Sequence, residues 1–404
     1  MRKTFLLSAL ALSLAAPAQN EVIQGIIDAM EIDSMITYVE EMSGEVAVDL
    51  GSGPVVINSR HSDHAGNALA QQYYELKLAS FGYITEAQAF NATGRNVLAT
   101  KLGSVHPEEI VVLCAHYDAM PPGGLYNAPA ADDDGSGCAA LLEAARVLQG
   151  IPFERTIVFA LWDQEEQGKI GSIHYANAMA ANDEDIVGVV NMDAIAYDGN
   201  GDKKARVHAR PVANSMAIAD TVFAILERYE IDIDLLLTNP GATYSDHASF
   251  WSAGYGAVLM IEEFTGDGNP YYHTQNDRVQ HFDVPYFEKM AKLSVASMAA
   301  LAMPFDPTAS VPDWSGTGGV ALIAYPNPTS SRSMVRMNVP EGGRVRVTVL
   351  NAVGQEVVLL LDAVLPVGER SMDLDLSRLA PGAYTVRAAR EDGSFNAIRV
   401  LRIP

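Results

Sequence analysis

The chain has 404 residues, which at roughly 100–200 residues per domain implies two or three domains. A hydrophobic fraction of 49% supports a sizeable core and excludes wholesale disorder. The balance of 27 Lys+Arg against 50 Asp+Glu leaves a net charge of −23, which argues against a nucleic-acid partner, because phosphate binding requires a basic surface.

Met1-Arg2-Lys3 is a short basic segment, residues 4–15 are apolar but too few to span a bilayer, and Ala16-Pro17-Ala18 fits a small-x-small cleavage pattern. Residues 1–18 therefore read as a signal peptide, and the chain as an exported one. No later apolar run is long enough for a membrane span. Export makes a disulfide chemically possible. Cys114, however, falls in a predicted core strand and Cys138 opens a predicted helix, which favours two buried free thiols.

Residues 22–82 carry a helical pattern that ends at Phe81-Gly82, a helix-stop signal. Short apolar runs then alternate with helical patterns. Strands are predicted over 96–102, 109–116, 156–162, 186–193 and 257–262, and helices over 136–149, 168–181, 213–229 and 284–302. This alternation predicts an α/β fold: a mixed, largely parallel sheet flanked by helices, spanning residues 19–304.

The style changes after Pro304. Residues 304–319 hold three Pro and three Gly, and 305–322 read as a linker. Beyond it, short alternating segments at 344–350, 355–361, 371–376, 384–389 and 397–403 are separated by turn signals such as Glu341-Gly342-Gly343 and Asp392-Gly393-Ser394. They predict a small all-β, Ig-like sandwich over 323–404. Ten arginines, no lysine and eight acids from residue 320 onward give this part +2, so the remainder carries −25.

Ligands of open α/β sheets bind beyond the carboxyl ends of the strands. The metal-binding side chains expected there are His116 in His116-Tyr117-Asp118, the run Asp132-Asp133-Asp134-Gly135-Ser136-Gly137, Glu165-Glu166, Asp193 and His273. A lone strand-end histidine is ordinarily a hydrogen-bonded surface residue, and an Asp-rich turn before Gly is ordinarily a solvated helix cap. Their joint occurrence in order along one sheet edge points to a metal centre. Two His and three carboxylates suit zinc or a similar divalent ion. Charge arithmetic favours two ions: Asp133, Glu166 and Asp193 contribute −3, two ions +4, and a bridging hydroxide restores neutrality. Glu165, beside a ligand but unable to share its metal, is placed to act as general base.

On these residues the chain from about 58 to 302 resembles the zinc aminopeptidases of the bacterial leucyl aminopeptidase type, a family that also includes glutamate carboxypeptidases and type II glutaminyl cyclases. The matching stretches are Cys114–Asp118, Ala131–Gly137, Asp163–Gly168 with Gly171-Ser172, Asn191-Met192-Asp193, Ser245-Asp246-His247 and Tyr272-His273-Thr274-x-x-Asp277. The resemblance implies two Zn²⁺ per chain: Asp133 bridges both, His116 and Asp193 complete one site, and Glu166 and His273 complete the other. It implies that Glu165 is base and proton shuttle, that the Asp133–Asp134 peptide bond is cis, and that Asp118 orients His116. Asp134, Asp246, His247 and Asp277 are expected to support the ligands from behind, with simple packing the close alternative for Asp246 and His247.

Some members of the family it resembles stabilise the oxyanion with a tyrosine in a disulfide-bounded loop just before Ser-Asp-His. Tyr272, which precedes the His ligand, is the expected donor ahead of Tyr244; the loop before Ser245 lacks the cysteines seen in some members. Ala194 is small where a bulkier pocket-lining side chain is common. The implied activity is exopeptidase: a metal-bound hydroxide attacks the first peptide bond of a substrate with a free N-terminus. Dipeptide-releasing, carboxypeptidase and one-zinc glutaminyl cyclase activities are the alternatives, and a monomer is expected.

Ala324-Tyr325-Pro326-Asn327-Pro328, Val347–Asn351 with Gly354, and Leu374–Ser377 with Leu379, Gly382 and Tyr384 resemble the C-terminal sorting domain of the type IX (Por) secretion system of Bacteroidetes. With the signal peptide this implies passage through the periplasm to the cell surface or medium, with the type IX machinery as partner.

Overall fold

The computed structural model describes residues 19–120, 126–304, 321–325, 327, 329, 331–351, 354–380 and 382–402. The signal peptide at 1–18 lies outside the described residues, as does the linker except for its last two residues. The chain forms two compact units that divide between Phe305 and Asp306.

The first unit opens with helices α1 (Glu21–Ala29) and α2 (Ile32–Met42), the short pair β1 (Val48–Asp49) and β2 (Pro54–Val55), and helix α3 (Ala65–Ser80). Asn20 caps α1 by accepting from the Val22 and Ile23 amides, and Ile23, Ile26 and Ile27 form its buried face at the i, i+3, i+4 spacing. The continuous helical reading of 22–82 is thus interrupted: the positive φ of Gly44, Gly51 and Gly53 turns the chain out of helix between α2 and α3.

There follow β3 (Thr85–Ala89), β4 (Arg95–Lys101), β5 (His106–His116), α4 (Gly135–Leu148), β6 (Arg155–Trp162), α5 (Ile170–Ala181), β7 (Asp185–Met192), β8 (Lys204–His208), α6 (Ser215–Arg228), β9 (Asp234–Thr238), α7 (His247–Ser252), β10 (Ala257–Glu262) and α8 (Val284–Ala302). The predicted strands and helices are all present, within a few residues of their expected ends. The short strands β3, β8 and β9 and the six-residue α7 were not foreseen, being too short and too polar to show a period.

Eight strands form one sheet in the order β3-β4-β6-β5-β7-β10-β8-β9. The centre, β6-β5-β7-β10, is parallel. The pairs β3–β4, β4–β6 and β10–β8 are antiparallel. Both faces are covered, which is why the central strands read as unbroken apolar runs. In β5, Val111, Leu113 and Ala115 join one core with α1, α2, α4 and α8. Val112 and Cys114 join the opposite core with Trp162, Tyr175 and Phe250. Removing one such ring, as in Phe159→Ala, would cost about 3–5 kcal/mol. Cys114 and Cys138 are both buried free thiols. The Cys114 thiol donates to Asn191 Oδ1 (3.2 Å) and the Cys138 thiol to the His116 carbonyl (3.1 Å).

The crossover through α4 carries the chain from β5 to β6 on one side, and α5 then carries it back across to β7 on the other. The strand order therefore reverses at β5, the position where open α/β sheets hold their ligands.

The second unit contains β11 (Ala321–Tyr325), β12 (Arg332–Val339), β13 (Gly343–Leu350), β14 (Glu356–Leu365), β15 (Gly368–Asp375), β16 (Gly382–Arg390) and β17 (Phe395–Arg402). They form a three-stranded sheet, β11-β12-β15, and a four-stranded one, β14-β13-β16-β17, antiparallel throughout. β12 alternates exposed and buried residues without a break, and its Val335, Met337 and Val339 meet Val345, Val347, Val349, Val386 and Val400 in one core. Tyr384 donates to the Ala380 carbonyl at 2.7 Å, tying β16 to the preceding turn. β11 begins two residues inside the span read as linker. Among the described residues no helix is long and apolar enough to cross a membrane.

Candidate metal centre

Strand register brings the chemistry to one edge of the sheet. His116 stands opposite Trp162 and Cys114 opposite Asn191, so β5, β6 and β7 end level. The pairing of Met260 with Met192 brings the end of β10 to the same edge.

Two groups of potential ligands form there: His116, Asp134 and Asp193 in one, and Asp133, Glu166 and His273 in the other. Asp133 joins them. Its Oδ1 lies 3.1 Å from His116 Nε2 and its Oδ2 lies 2.9 Å from His273 Nε2. Asp193 Oδ1 is 3.7 Å from His116 Nε2, and Glu166 Oε1 is 3.1 Å from His273 Nε2. Each carboxylate oxygen of Asp133 thus faces a different imidazole, one in each group.

The three acids of the Asp run face different ways, and the Asp133–Asp134 peptide bond is cis. Asp132 accepts from the Ala196 amide (2.9 Å) and Asn269 Nδ2 (2.9 Å). Asp134 accepts from the amides of His116 (3.0 Å), Gly137 (3.0 Å) and Ala194 (3.3 Å), so it caps α4 and fixes the His116 backbone at once. Only Asp133 is left to point at the histidines. The loop can enter α4 this closely because residue 137 has no side chain: a Cβ there would stand 2.4 Å from Asp134 Oδ1.

Asp277 holds the same loop from outside, accepting from the amides of Asp132 (2.9 Å) and Asp133 (3.1 Å). Asp118 accepts from the amides of Glu165 (3.0 Å) and Glu166 (3.2 Å), and its Oδ1 is 3.5 Å from His116 Nδ1. One carboxylate therefore fixes the Glu-Glu turn by hydrogen bonds and lies beside the imidazole, a placement suited to orienting a ligand. Glu165 is buried beside this cluster.

Asp246 is fully buried with neither oxygen in a directed hydrogen bond, and burial pushes its pKa up to about 7. His247 Nε2 lies 2.9 Å from the Ala242 carbonyl, and its ring packs edge-on against Trp251; it supports a loop and not the metal edge. Tyr272 stacks on His273 with ring centroids 3.9 Å apart and meets Phe264 edge-on. Ala194 is buried.

The backbone is strained around these residues. Ala130, Gln164, Ala194 and His273, none of them glycine, have φ between 45° and 60°. Such conformations cost of order 1–3 kcal/mol each and persist where the surroundings over-determine them.

The electrostatics call for cations. Burial raises Asp132 to about 6 and Glu166 to about 7, and pushes Asp134, Glu165, Glu262 and Asp277 well above the usual carboxylate range. Burial alone would lower the two imidazoles. Asp118, Asp133 and Asp193 nonetheless raise His116 well above its ordinary value, and Asp133 and Glu166 raise His273 to about 10. Burial would likewise raise Asp133, but the two histidines hold it below the usual carboxylate range. Asp133 Oδ2, Glu166 Oε1 and His273 Nε2 are buried and converge within about 3 Å without a directed hydrogen bond among them. Converging oxygen and imidazole donors with surplus negative charge fit divalent ions of the zinc type.

Sequence reasoning missed Arg60 and Asn269, and it gave Asp132, named in the Asp run, no role of its own. Arg60 is fully buried and donates to four backbone carbonyls: Tyr117 (2.7 Å), Met42 (2.8 Å), Pro129 (2.7 Å) and Ala130 (2.8 Å). It ties the segment after His116 to the segment before the Asp run, over 57 and 70 residues of chain. Arg60→Met would leave those acceptors unsatisfied and is expected to lower unfolding stability by about 3–5 kcal/mol. A urea titration checks this, and a loss under about 1 kcal/mol would mean the carbonyls find other donors. A surface depression of about 450 Å³, lined by Phe90, Ile170, Ile173, His174, Asn177 and Ala178, contains none of the residues of the centre.

Residues 96–298 match peptidase family M28, and residues 323–399 match the secretion system C-terminal sorting domain. Aminopeptidase YwaD of Bacillus subtilis (strain 168) is 28% identical over 272 residues, 66% of this chain and 54% of the relative, so the chain spans about half that protein's length. Leucine aminopeptidase 1 of Trichophyton rubrum is 29% identical over 269 residues, 63% of this chain and 69% of the relative. Among solved structures, the LapA aminopeptidase of Legionella pneumophila superimposes with a TM-score of 0.60 at 21% identity, covering 76% of this chain and 80% of its own. Porphyromonas gingivalis glutaminyl cyclase superimposes with a TM-score of 0.55 at 17% identity, covering 67% of this chain and 99% of its own. Both structural likenesses are of fold.

Proposed function

The chain belongs to peptidase family M28 and carries a C-terminal secretion sorting domain, and from that footing we propose that it is a secreted two-zinc aminopeptidase. The observation that carries this reading is Asp133, whose two oxygens face His116 and His273 at 3.1 and 2.9 Å. His116, Asp133 and Asp193 would hold one ion, and Asp133, Glu166 and His273 the other. Bound there, the ions supply Lewis acidity toward the scissile carbonyl and make a water acidic enough to be a nucleophile at neutral pH.

The chain's own residues do the rest. Glu165, with its amide fixed by Asp118, takes a proton from the attacking water on a carboxylate oxygen and delivers it to the leaving amine nitrogen. Its burial favours the protonated intermediate form. Tyr272, beside Asp133, Asp193 and Glu166, donates from its hydroxyl to the carbonyl oxygen as negative charge develops there. The carboxylates left over at this edge attract the substrate's ammonium group, which is why a free N-terminus is required.

The test is a panel of aminoacyl-nitroanilides, free peptides and their N-acetylated forms. Release of single residues from free N-termini only is the expected result. Release of dipeptides, attack from the C-terminus, or cyclisation of N-terminal glutamine without hydrolysis would each replace the proposal with another activity of the same site.

The sorting domain forms a compact unit with a core of its own, which supports a role in export and not in catalysis. Deleting residues 323–404 should leave kcat within about two-fold of the full chain while the protein accumulates in the periplasm, measured by fractionation and nitroanilide turnover. A folded but inactive truncation would show that the sandwich contributes to the site.

A further inference from the structure

We infer that His208 is a positioning residue that aims the hydroxyl hydrogen of Tyr244 at substrate bound beside Asp193. The inference rests on the peptidase reading above.

His208 ends β8 and is 4% exposed. It grips the loop that carries Tyr244. The Ala242 amide donates to His208 Nδ1 at 3.0 Å, while on the other side of the same residue the Ala242 carbonyl accepts from His247 Nε2 at 2.9 Å. The loop is further tied by Gly241 N to Ala209 O (2.8 Å) and by Arg210 Nε to Gly241 O (2.7 Å).

This contact decides the imidazole's tautomer. An amide N–H can only donate, so Nδ1 must hold a lone pair, and a neutral ring then carries its one proton on Nε2. Burial keeps the ring neutral, with Arg206 reinforcing it and Glu263 opposing, which together leave its pKa at about 4. His208 Nε2 lies 3.4 Å from the Tyr244 oxygen, with the rings edge-to-face at 5.6 Å. The Nε2–H is therefore the donor and the phenol oxygen the acceptor. The phenol's own hydrogen has to point away from His208.

The loop lies against the end of β7: Ser245, next to Tyr244, accepts from Asn191 Nδ2 at 2.8 Å, two residues before Asp193. Burial and then the Asp193 carboxylate push the Tyr244 phenol up to about 12, so its proton is retained at any working pH. Tyr244 is 51% exposed, open to a bound peptide. A phenol whose oxygen is already accepting is a preorganised donor, and His208 accomplishes this without touching substrate.

Two side chains separate the functions of the imidazole. The oxygen of Asn reaches the position of Nδ1 and can keep the Ala242 amide, but nothing then reaches Tyr244. The amide nitrogen of Gln reaches the position of Nε2 and can still donate to the phenol. In full-length protein, Tyr244→Phe is expected to lower kcat about 10–100-fold with KM little changed, and His208→Asn about 5–10-fold. His208→Gln should recover most of the second loss, and Tyr244→Phe combined with His208→Asn should be no slower than Tyr244→Phe alone.

Independently of turnover, ¹⁵N NMR of the imidazoles should show His208 neutral and protonated at Nε2 between pH 6 and 8. A proton on Nδ1, a charged ring, strictly additive variants, or a Tyr244→Phe enzyme with wild-type kcat would each overturn the inference. The NMR measurement reads His208 even in a chain that cleaves no peptide. Failure of the peptidase reading and failure of this one are therefore distinguishable.

Discussion

Glu165→Gln should retain both metal ions and lose about 10²–10⁴-fold in kcat, the usual contribution of a positioned general base. Its neighbour should behave differently. Glu166 Oε1 is 3.1 Å from His273 Nε2, inside the group that would hold an ion, so Glu166→Gln should lower metal content as well as rate. The two glutamates are adjacent in sequence and share one anchor, since Asp118 accepts from both amides. Their roles are separated only by where each side chain points. Glutamine keeps the size and most of the hydrogen bonding of Glu165 and cannot take up the proton, so the fold and the ligand positions should survive. Elemental analysis and steady-state kinetics on both variants decide it. If Glu165→Gln loses metal while Glu166→Gln keeps both ions, the roles are reversed; if Glu165→Gln turns over normally, another group is the base.

The larger disturbance of metal binding is expected at Asp133. Wild-type protein, desalted after purification, should carry two divalent ions per chain. Asp133→Ala should lose both, because each of its oxygens faces a different imidazole. His116→Ala should lose mainly one, since His273 and Glu166 remain in place on the other side. Stripping the metal should also lower the melting temperature, because ions that bind only the folded chain stabilise it by mass action, and the buried carboxylates are left to repel one another. Elemental analysis and calorimetry before and after chelation measure both effects. A single ion in wild-type protein, or an Asp133→Ala variant that keeps one ion at full strength, would sink the bridging assignment.

The elements that position the site were legible because their signals are local. β5, β6 and β7 are buried on both faces and read as unbroken apolar runs; α4 begins at an Asp cap before glycines and α8 after Asp283 with Pro285 in its first turn. The helical reading of 22–82 overruns because an apolar period of a few residues continues through turns, whereas the positive φ of Gly44, Gly51 and Gly53 breaks the helix without disturbing that period. The short strands β8 and β9 were invisible for the opposite reason. Five residues with exposed or charged members are too few to show a period, and they become strands because β10 offers β8 an edge and β8 in turn offers one to β9.

The sequence by itself determined the fold class, the family and the set of residue types that gather at the sheet edge, since these rest on periodicity and on the order of short motifs. Tertiary structure alone decided which way each of three consecutive aspartates faces. Asp132 turns to Asn269 and Ala196, Asp134 turns to the His116 amide, and only Asp133 is left for the histidines. It alone revealed Arg60, 57 residues before the carbonyl it holds, and His208, 36 residues before the tyrosine it faces. The reason is physical: a side chain's direction is set by partners that satisfy its hydrogen bonds after the chain has closed, and partners so distant along the chain leave no periodic trace in it.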